Sequence, residues 1–311
     1  MPGVPPARYG YLGPAGTFTE AALRSVPAAD RADLVPFGSV AAALEAVRAG
    51  EVDGSMVPLE NSVEGSVATT LDELAHGDPL QVTREVLLRV SFSLLGRPGT
   101  RLEDVRVVAT HPHAEAQCRR WLRDVLPGAE VLLTPSTADA ARAVAEGRYD
   151  AAVAAPIAAE HYRLQVLASD VQDHSGAVTR FLLVSRPGPP PRPTGADRTT
   201  LFVFIEDDHA GALLALLTEF AVRGINLTRI ESRPSGARLG QYFFSIDCDG
   251  HLAEARVGEA LAALHRSCAS VRVLGSYPRA DGVPTSVPGE AADGAYRAAA
   301  GWLSRLRDGG G

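Results

Sequence analysis

Three short stretches hold the residues that can do chemistry. "GYLGPAGTFTE" (10–20) spaces glycines at 10, 13 and 16 and then breaks into a helical pattern, with Thr17 and Glu20 placed as a capping box. A loop that opens a helix after a strand offers N–H groups and the positive end of a helix dipole, a setting for an anion. "VPLENSVEGSVATTLDEL" (57–74) crowds Glu60, Asn61, Ser62, Glu64, Ser66 and Thr69 at and beyond the end of an apolar strand, as a site lining or as a solvated turn. "DHSGAVTRFLLVS" (173–185) sets Thr179, Arg180 and Phe181 at the entrance of another apolar strand. Arg180 there can clamp a carboxylate with two N–H bonds, or make an ordinary strand-edge salt bridge.

Several chemistries fall away. A dinucleotide fingerprint needs G-x-G-x-x-G, and the spacing here is G-x-x-G-x-x-G. All 30 basic residues are arginine, so neither a Walker phosphate loop nor a Schiff-base lysine can operate. A carboxylate is therefore the better anion for the glycine loop, with a plain strand-to-helix turn as the alternative. His111 and His113 start a helix and lack a third ligand nearby, which points to helix start, lobe packing or a cleft role rather than a metal. Cys118, Cys248 and Cys268 form no paired or metal-binding spacing, which suits a reducing compartment. A net charge of −7 argues against nucleic acid, and no apolar run reaches the roughly 20 residues that span a bilayer. The start, "MPGVPPARYG", lacks the features of a signal peptide, so a cytoplasmic location is expected.

The elements that must position these residues alternate in type. Strand-like runs at 9–13, 34–37, 53–60, 105–110, 130–134, 150–154 and 178–185 are separated by helical stretches at 39–50, 113–126 and 137–147. Such alternation implies βαβ units and largely parallel sheets. "LQVTREVLLRVSFSLLG" (80–96) reads as extended strand that can cross between two lobes. "RPGPPPRPTGADR" (186–198) is a stiff linker. Beyond it, strands at 199–207, 226–234, 240–250 and 270–277 and helices at 210–224 and 252–267 give the ferredoxin-like βαββαβ order. The tail from 279 carries a possible short helix and no assigned role.

Taken together, "GPAGTF" (13–18), "VPLENSVEGSV" (57–67), "THPHAEAQC" (110–118) and "TRF" (179–181) make the chain resemble the prephenate dehydratases from about residue 9 to 277. The terminal module resembles an ACT domain, with "GALL" (211–214) and "ESRP" (231–234) where dehydratases carry phenylalanine-binding motifs. The resemblance implies an α/β fold. A two-lobed catalytic domain similar to type 2 periplasmic binding proteins spans 8–185, a linker 186–198, a ferredoxin-like ACT domain 199–278 and a tail 279–311. It implies conversion of prephenate to phenylpyruvate, carbon dioxide and water in phenylalanine biosynthesis, without metal or redox cofactor.

The same resemblance assigns roles. Thr179 matches the family's catalytic threonine, whose hydroxyl would bond the leaving hydroxyl as charge develops there. Arg180 would hold a substrate carboxylate, helped by N–H groups near Gly16 and Thr17, with Phe181 beside them. Asn61 and Ser62 would orient substrate or Thr179. Glu64 would be the proton donor if burial raises its pKa, and is otherwise a helix-start acid. His174 reads as loop-exposed. Ala177 replaces an asparagine frequent in the family, and His113 a glutamine, which bears on substrate preference.

In the ACT module, Gly211, Ala212, Leu213, Leu214, Asn226, Leu227, Glu231, Ser232, Arg233 and Pro234 are the candidate phenylalanine contacts, with Ala210 where many relatives have proline. Most of the leucines also suit a helix's core face. Feedback inhibition by phenylalanine and assembly as a homodimer or homotetramer through these modules are expected. Arogenate dehydratase, and a catalytically silent amino-acid sensor, are the rival readings.

Overall fold

The computed structural model describes residues 6–205, 209–234 and 242–309. The ends of two expected strands, at 206–207 and 240–241, lie outside the described residues. The chain divides into two compact units, Met1–Glu73 with Val86–Arg186, and Leu74–Glu85 with Pro187–Gly311.

The first unit opens with β1 (Arg8–Leu12), α1 (Phe18–Arg24), β2 (Asp33–Phe37), α2 (Val40–Arg48), β3 (Gly54–Asn61), the two-residue β4 (Gly65–Ser66) and most of α3 (Ala68–His76); the end of α3 and the start of β5 (Gln81–Arg89) fall in the second unit. A second lobe follows: β6 (Ser93–Gly96), β7 (Val107–Thr110), α4 (Pro112–Val125), β8 (Glu130–Leu133), α5 (Thr137–Ala145), β9 (Ala151–Ala154), α6 (Ile157–Tyr162) and β10 (Gln165–Ala168). The chain then returns to the first lobe as β11 (Val178–Ser185). Side-chain caps mark where helices begin. Ser39 accepts from the Ala42 amide and Ser136 from the Asp139 amide, while Pro112 opens α4, where its missing N–H costs nothing.

The two sheets share one plan. The first runs β2-β1-β3-β11-β5 and the second β8-β7-β9-β6-β10. In each, three parallel strands are followed by one antiparallel strand that has just crossed from the other lobe. The expected crossing in 80–96 is therefore two strands, β5 in the first sheet and β6 in the second. Each lobe has its own core, around Tyr11, Leu23, Met56 and Phe181 in the first and around Leu94, Val108, Cys118 and Val153 in the second. Burial pushes the Cys118 thiol up to about 12, which suits a packing role rather than a reactive one.

The second unit contains β12 (Asp197–Phe204), α7 (Ala212–Ala221), β13 (Leu227–Pro234), β14 (Tyr242–Asp249), α8 (Ala255–Ser267) and β15 (Ser270–Pro278), then α9 (Asp293–Arg307). Its sheet is antiparallel in the order β13-β14-β12-β15, the ferredoxin-like arrangement. Leu201, Val203, Leu216, Phe220, Ile246 and Leu264 join α7 and α8 to one face of it. Residues 74–85 belong to this unit by their contacts: Arg272 donates to the Leu74 and Gly77 carbonyls, and Arg198 pairs with the buried Glu85. Among the described residues no helix is long and apolar enough to cross a membrane.

Candidate active site

The cleft of the first unit lies between its two lobes and encloses about 640 Å³. Thr17, Phe18, Thr19, Pro58, Asn61, Thr179 and Phe181 come to it from the first lobe. His111, His113, Ala114, Gln117 and the Pro135–Thr137 turn come from the second. Val90 and Phe92, where the chain passes from one lobe to the other, also line it. The starts of α3, α4 and α5 all open on this space, at Val67, at His111–Ala114 and at Ser136–Thr137. That follows from the topology, because ligands in open α/β sheets meet the carboxyl ends of strands and the helices that leave them. Among the described residues, none that line the cleft is an arginine.

Thr179 and Asn61 are opposite partners where β11 meets β3. The Asn61 Nδ2 group donates to Thr179 Oγ1 at 2.7 Å. Asn61 Oδ1 accepts from the amides of Val63 (2.8 Å) and Glu64 (3.0 Å), which fixes the orientation of the side-chain amide. With one lone pair taken by Asn61, the threonine keeps its own hydrogen to give. Thr179 is buried to 9% exposure and its side chain lines the cleft.

Four expected site residues stand as follows in the structure. Arg180 does not line the cleft: it stands one residue along β11 from Thr179, on the opposite face, buried, with Nη1 3.4 Å from Glu60. Gly16 is not free to hold an outside anion, because its amide donates to Glu20 Oε2 at 2.8 Å. The anion at the glycine loop is the chain's own Glu20. Ser62 lines a smaller cavity that meets the cleft at Gln117; its hydroxyl accepts from the Val178 amide at 3.0 Å and so fixes the start of β11. Glu64 lines the cleft, with its side chain 37% exposed. Its carboxylate accepts from Gln117 Nε2 at 3.3 Å and lies 3.8 Å from His113 Nδ1, across the cleft.

His111 caps α4 by accepting from the His113 amide, and its ring lies against that of His113. Burial, and then the neighbouring His113, hold its pKa below the ordinary histidine value against a smaller upward pull from Glu64. Its neutral form is therefore favoured. His174 is exposed and Ala177 buried, and both line the smaller cavity that meets the cleft at Gln117. Sequence reasoning missed Gln117, Phe92 and the Pro135–Thr137 turn. Each reaches the cleft only through the pairing of distant strands.

In the second unit, Gly211 caps α7 with φ +91°, a left-handed conformation that favours glycine. Ala212 is buried, while Leu213 and Leu214 are exposed. Asn226 donates to Asp249 Oδ2 at 2.9 Å and leads into the edge strand β13. Along β13, Leu227, Glu231 and Arg233 are half-buried and alternate with the exposed Ser232 and Pro234. Glu231 pairs with Arg229 and Arg233.

A family model described as prephenate dehydratase matches residues 9–189, and one described as ACT domain matches 199–266. A prephenate dehydratase of Mycobacterium marinum is 52% identical over 311 residues, covering 97% of this chain and 96% of that protein. The prephenate dehydratase of Arthrobacter aurescens, solved in complex with L-Phe, superposes with a TM-score of 0.91 at 50% identity, covering 97% of this chain and 100% of that one. A protein described as a novel type of quorum-quenching acylase superposes at 0.79 with 31% identity, covering 87% and 97%.

Proposed function

The chain belongs to the prephenate dehydratase family, and we propose that its cleft carries out the family's elimination by donating a hydrogen bond from Thr179 to the hydroxyl that leaves. Prephenate is a dianion. Cleavage of the ring–carboxylate bond releases carbon dioxide, its electron pair completes the aromatic ring, and the carbon–oxygen bond across the ring breaks. Hydroxide leaves, takes a proton from solvent and becomes water, with phenylpyruvate as the organic product. Charge builds on the departing oxygen, and a preorganised donor aimed there lowers the barrier. A threonine hydroxyl is too weak an acid to release its proton freely near neutral pH, so it acts as a hydrogen-bond donor. The observation that carries this reading is the direction of the Asn61 to Thr179 bond. An acylase shares the overall fold, so the fold alone does not select the reaction.

Among the described residues the cleft lining has no arginine, yet the same cleft must hold two carboxylates. We assign that task to the starts of α3, α4 and α5, whose dipoles point positive potential inward. The His111 and His113 imidazoles and the Gln117 amide add polar contacts. Phe181 and Phe92 give the ring an apolar wall. Ser62 and Arg180 act behind the cleft, fixing the two strands that carry Asn61 and Thr179.

For the second unit we infer an L-phenylalanine site at the start of α7 and along β13, reporting to the cleft as feedback inhibition. Support comes from the ACT match, from the relative solved with L-Phe, and from the exposed Leu213 and Leu214 beside Gly211. β13 is an edge strand, so a second copy of the chain can complete that site, and a dimer built there is the expected unit. Linkage then requires phenylalanine to favour a state with weaker substrate binding or slower turnover.

Phenylpyruvate formation from prephenate tests the reading on the parent, Thr179→Ser and Thr179→Ala. The serine variant keeps a hydroxyl and measurable activity, while alanine lowers kcat by about 100- to 1,000-fold, the cost of losing one preorganised donor. Equal activity in the alanine variant would overturn the assignment. Arogenate, assayed beside prephenate, must be the poorer substrate.

A further inference from the structure

We infer that Glu20 and His161 form a reversible latch between the two lobes, and that they are positioning residues for the reaction proposed above, on which this inference rests. Glu20 lies on α1 in the first lobe and its side chain is 1% exposed. Its Oε2 accepts from the Gly16 amide at 2.8 Å, and its Oε1 accepts from Arg24 Nε at 2.7 Å. Tyr11, on β1 of the same lobe, is also hydrogen-bonded to Glu20, and a further partner comes from the second lobe: His161 Nε2, on α6, lies 2.7 Å from Oε1. The next residue, Tyr162, donates its hydroxyl to the Ala15 carbonyl at 2.7 Å. Between these bonds the backbones approach so closely that a Cβ on Gly16 would lie 3.1–3.2 Å from Tyr162 and Ala158.

The Gly16 amide and a helical Glu–Arg pair would already satisfy the Glu20 carboxylate. His161 is an extra donor from the opposite lobe, and this makes the contact reversible. If the lobes part, Glu20 keeps Gly16 and Arg24, so no buried charge is stranded, and the part-exposed His161 returns to water. The latched loop runs directly into Thr17, Phe18 and Thr19, which form one wall of the cleft. Closing the latch therefore sets the distance from that wall to His111–Ala114 and Pro135–Thr137 opposite. A substrate that needs both walls binds only to the closed fraction, and its apparent affinity scales with that fraction.

The test compares His161→Ala and His161→Gln with the parent, since a glutamine amide can still donate to Glu20. His161→Ala is expected to raise KM for prephenate about tenfold, as the loss of a charge-assisted bond shifts the open–closed balance, with kcat within about twofold. His161→Gln is expected to recover at least half of that change on a logarithmic scale. Hydrogen exchange without substrate is expected to quicken over 157–162 and to stay unchanged over 117–124 in α4. A lower kcat at unchanged KM, no recovery by glutamine, or unchanged exchange over 157–162 would each overturn the latch. A parent that does not turn over prephenate would instead overturn the proposed reaction, and the exchange comparison would still decide the latch.

Discussion

Asn61 Nδ2 lies 2.7 Å from Thr179 Oγ1, and the direction of that bond decides what the threonine can give. The two residues are 118 positions apart, yet they are paired across β3 and β11. Asn61→Asp tests direction rather than presence. A carboxylate can still accept from the Val63 and Glu64 amides, but it can only accept from Thr179, and it would turn the hydroxyl hydrogen away from the cleft. The expected result is a kcat about 100-fold lower with KM changed less than about threefold, measured by phenylpyruvate release.

Arg180 gives a contrasting prediction. Because it is buried behind the cleft with Glu60, Arg180→Lys is expected to leave KM for prephenate within about threefold and to lower the melting temperature, since a lysine cannot reproduce the planar guanidinium fork. A KM raised tenfold or more at unchanged stability would restore the carboxylate clamp.

Gly16→Ala meets two obstacles, a φ of +88° and the close approach of Ala158 and Tyr162. The cost expected is about 1–3 kcal/mol, seen as a lower urea midpoint of the catalytic unit.

Glu20 predicts an acid limb of stability. Burial alone would raise its pKa, but the Gly16 amide, Arg24 and His161 outweigh it and hold the carboxyl below the ordinary glutamate range. A depressed folded pKa contributes stability that is complete above the unfolded value, about 4.3, and is lost as pH falls through the folded value. The melting temperature is therefore expected to fall below about pH 4.5, and Glu20→Gln to be less stable at neutral pH with a flatter acid limb. An unchanged limb in the variant would show that other carboxylates carry it.

L-phenylalanine at 100 times its Kd is expected to stabilise the ligand-binding state by about 2.7 kcal/mol, read as an upward shift in melting temperature. Gly211→Val, which forces a branched side chain into the left-handed conformation at the start of α7, is expected to shrink that shift and weaken inhibition together. A variant that loses inhibition but keeps the full shift would separate binding from its effect on the cleft.

Much of the fold was legible because parallel strands and their helices announce themselves locally. The apolar run at 178–185 is β11 as observed, and the helical stretches at 39–50, 113–126 and 137–147 correspond to α2, α4 and α5. What escaped was short or built from distant pairs. β10 has four residues with a bulge against β6, and α6 has six residues behind a proline, too few for a periodic signal. The placement of Arg180 was available in principle: in a strand, Thr179 and Phe181 share a face and the residue between them cannot. The contacts of Glu20 with His161, 141 positions away, and of Glu64 with Gln117 have no local signature at all.

The two crossings between lobes run side by side. The Val90 amide donates to the Ala177 carbonyl, and the Val171 amide to the Phe92 carbonyl, with Thr179 two residues past this seam. Points beside a door's pivot travel least when the door swings. In the latch proposed above, Thr179 stands beside that pivot with Asn61, while Gln117 and His161 belong to the second lobe. Under the proposed latch the aperture would change while Thr179 keeps its place, so that substrate uptake and chemical alignment would be tuned by separate sets of residues.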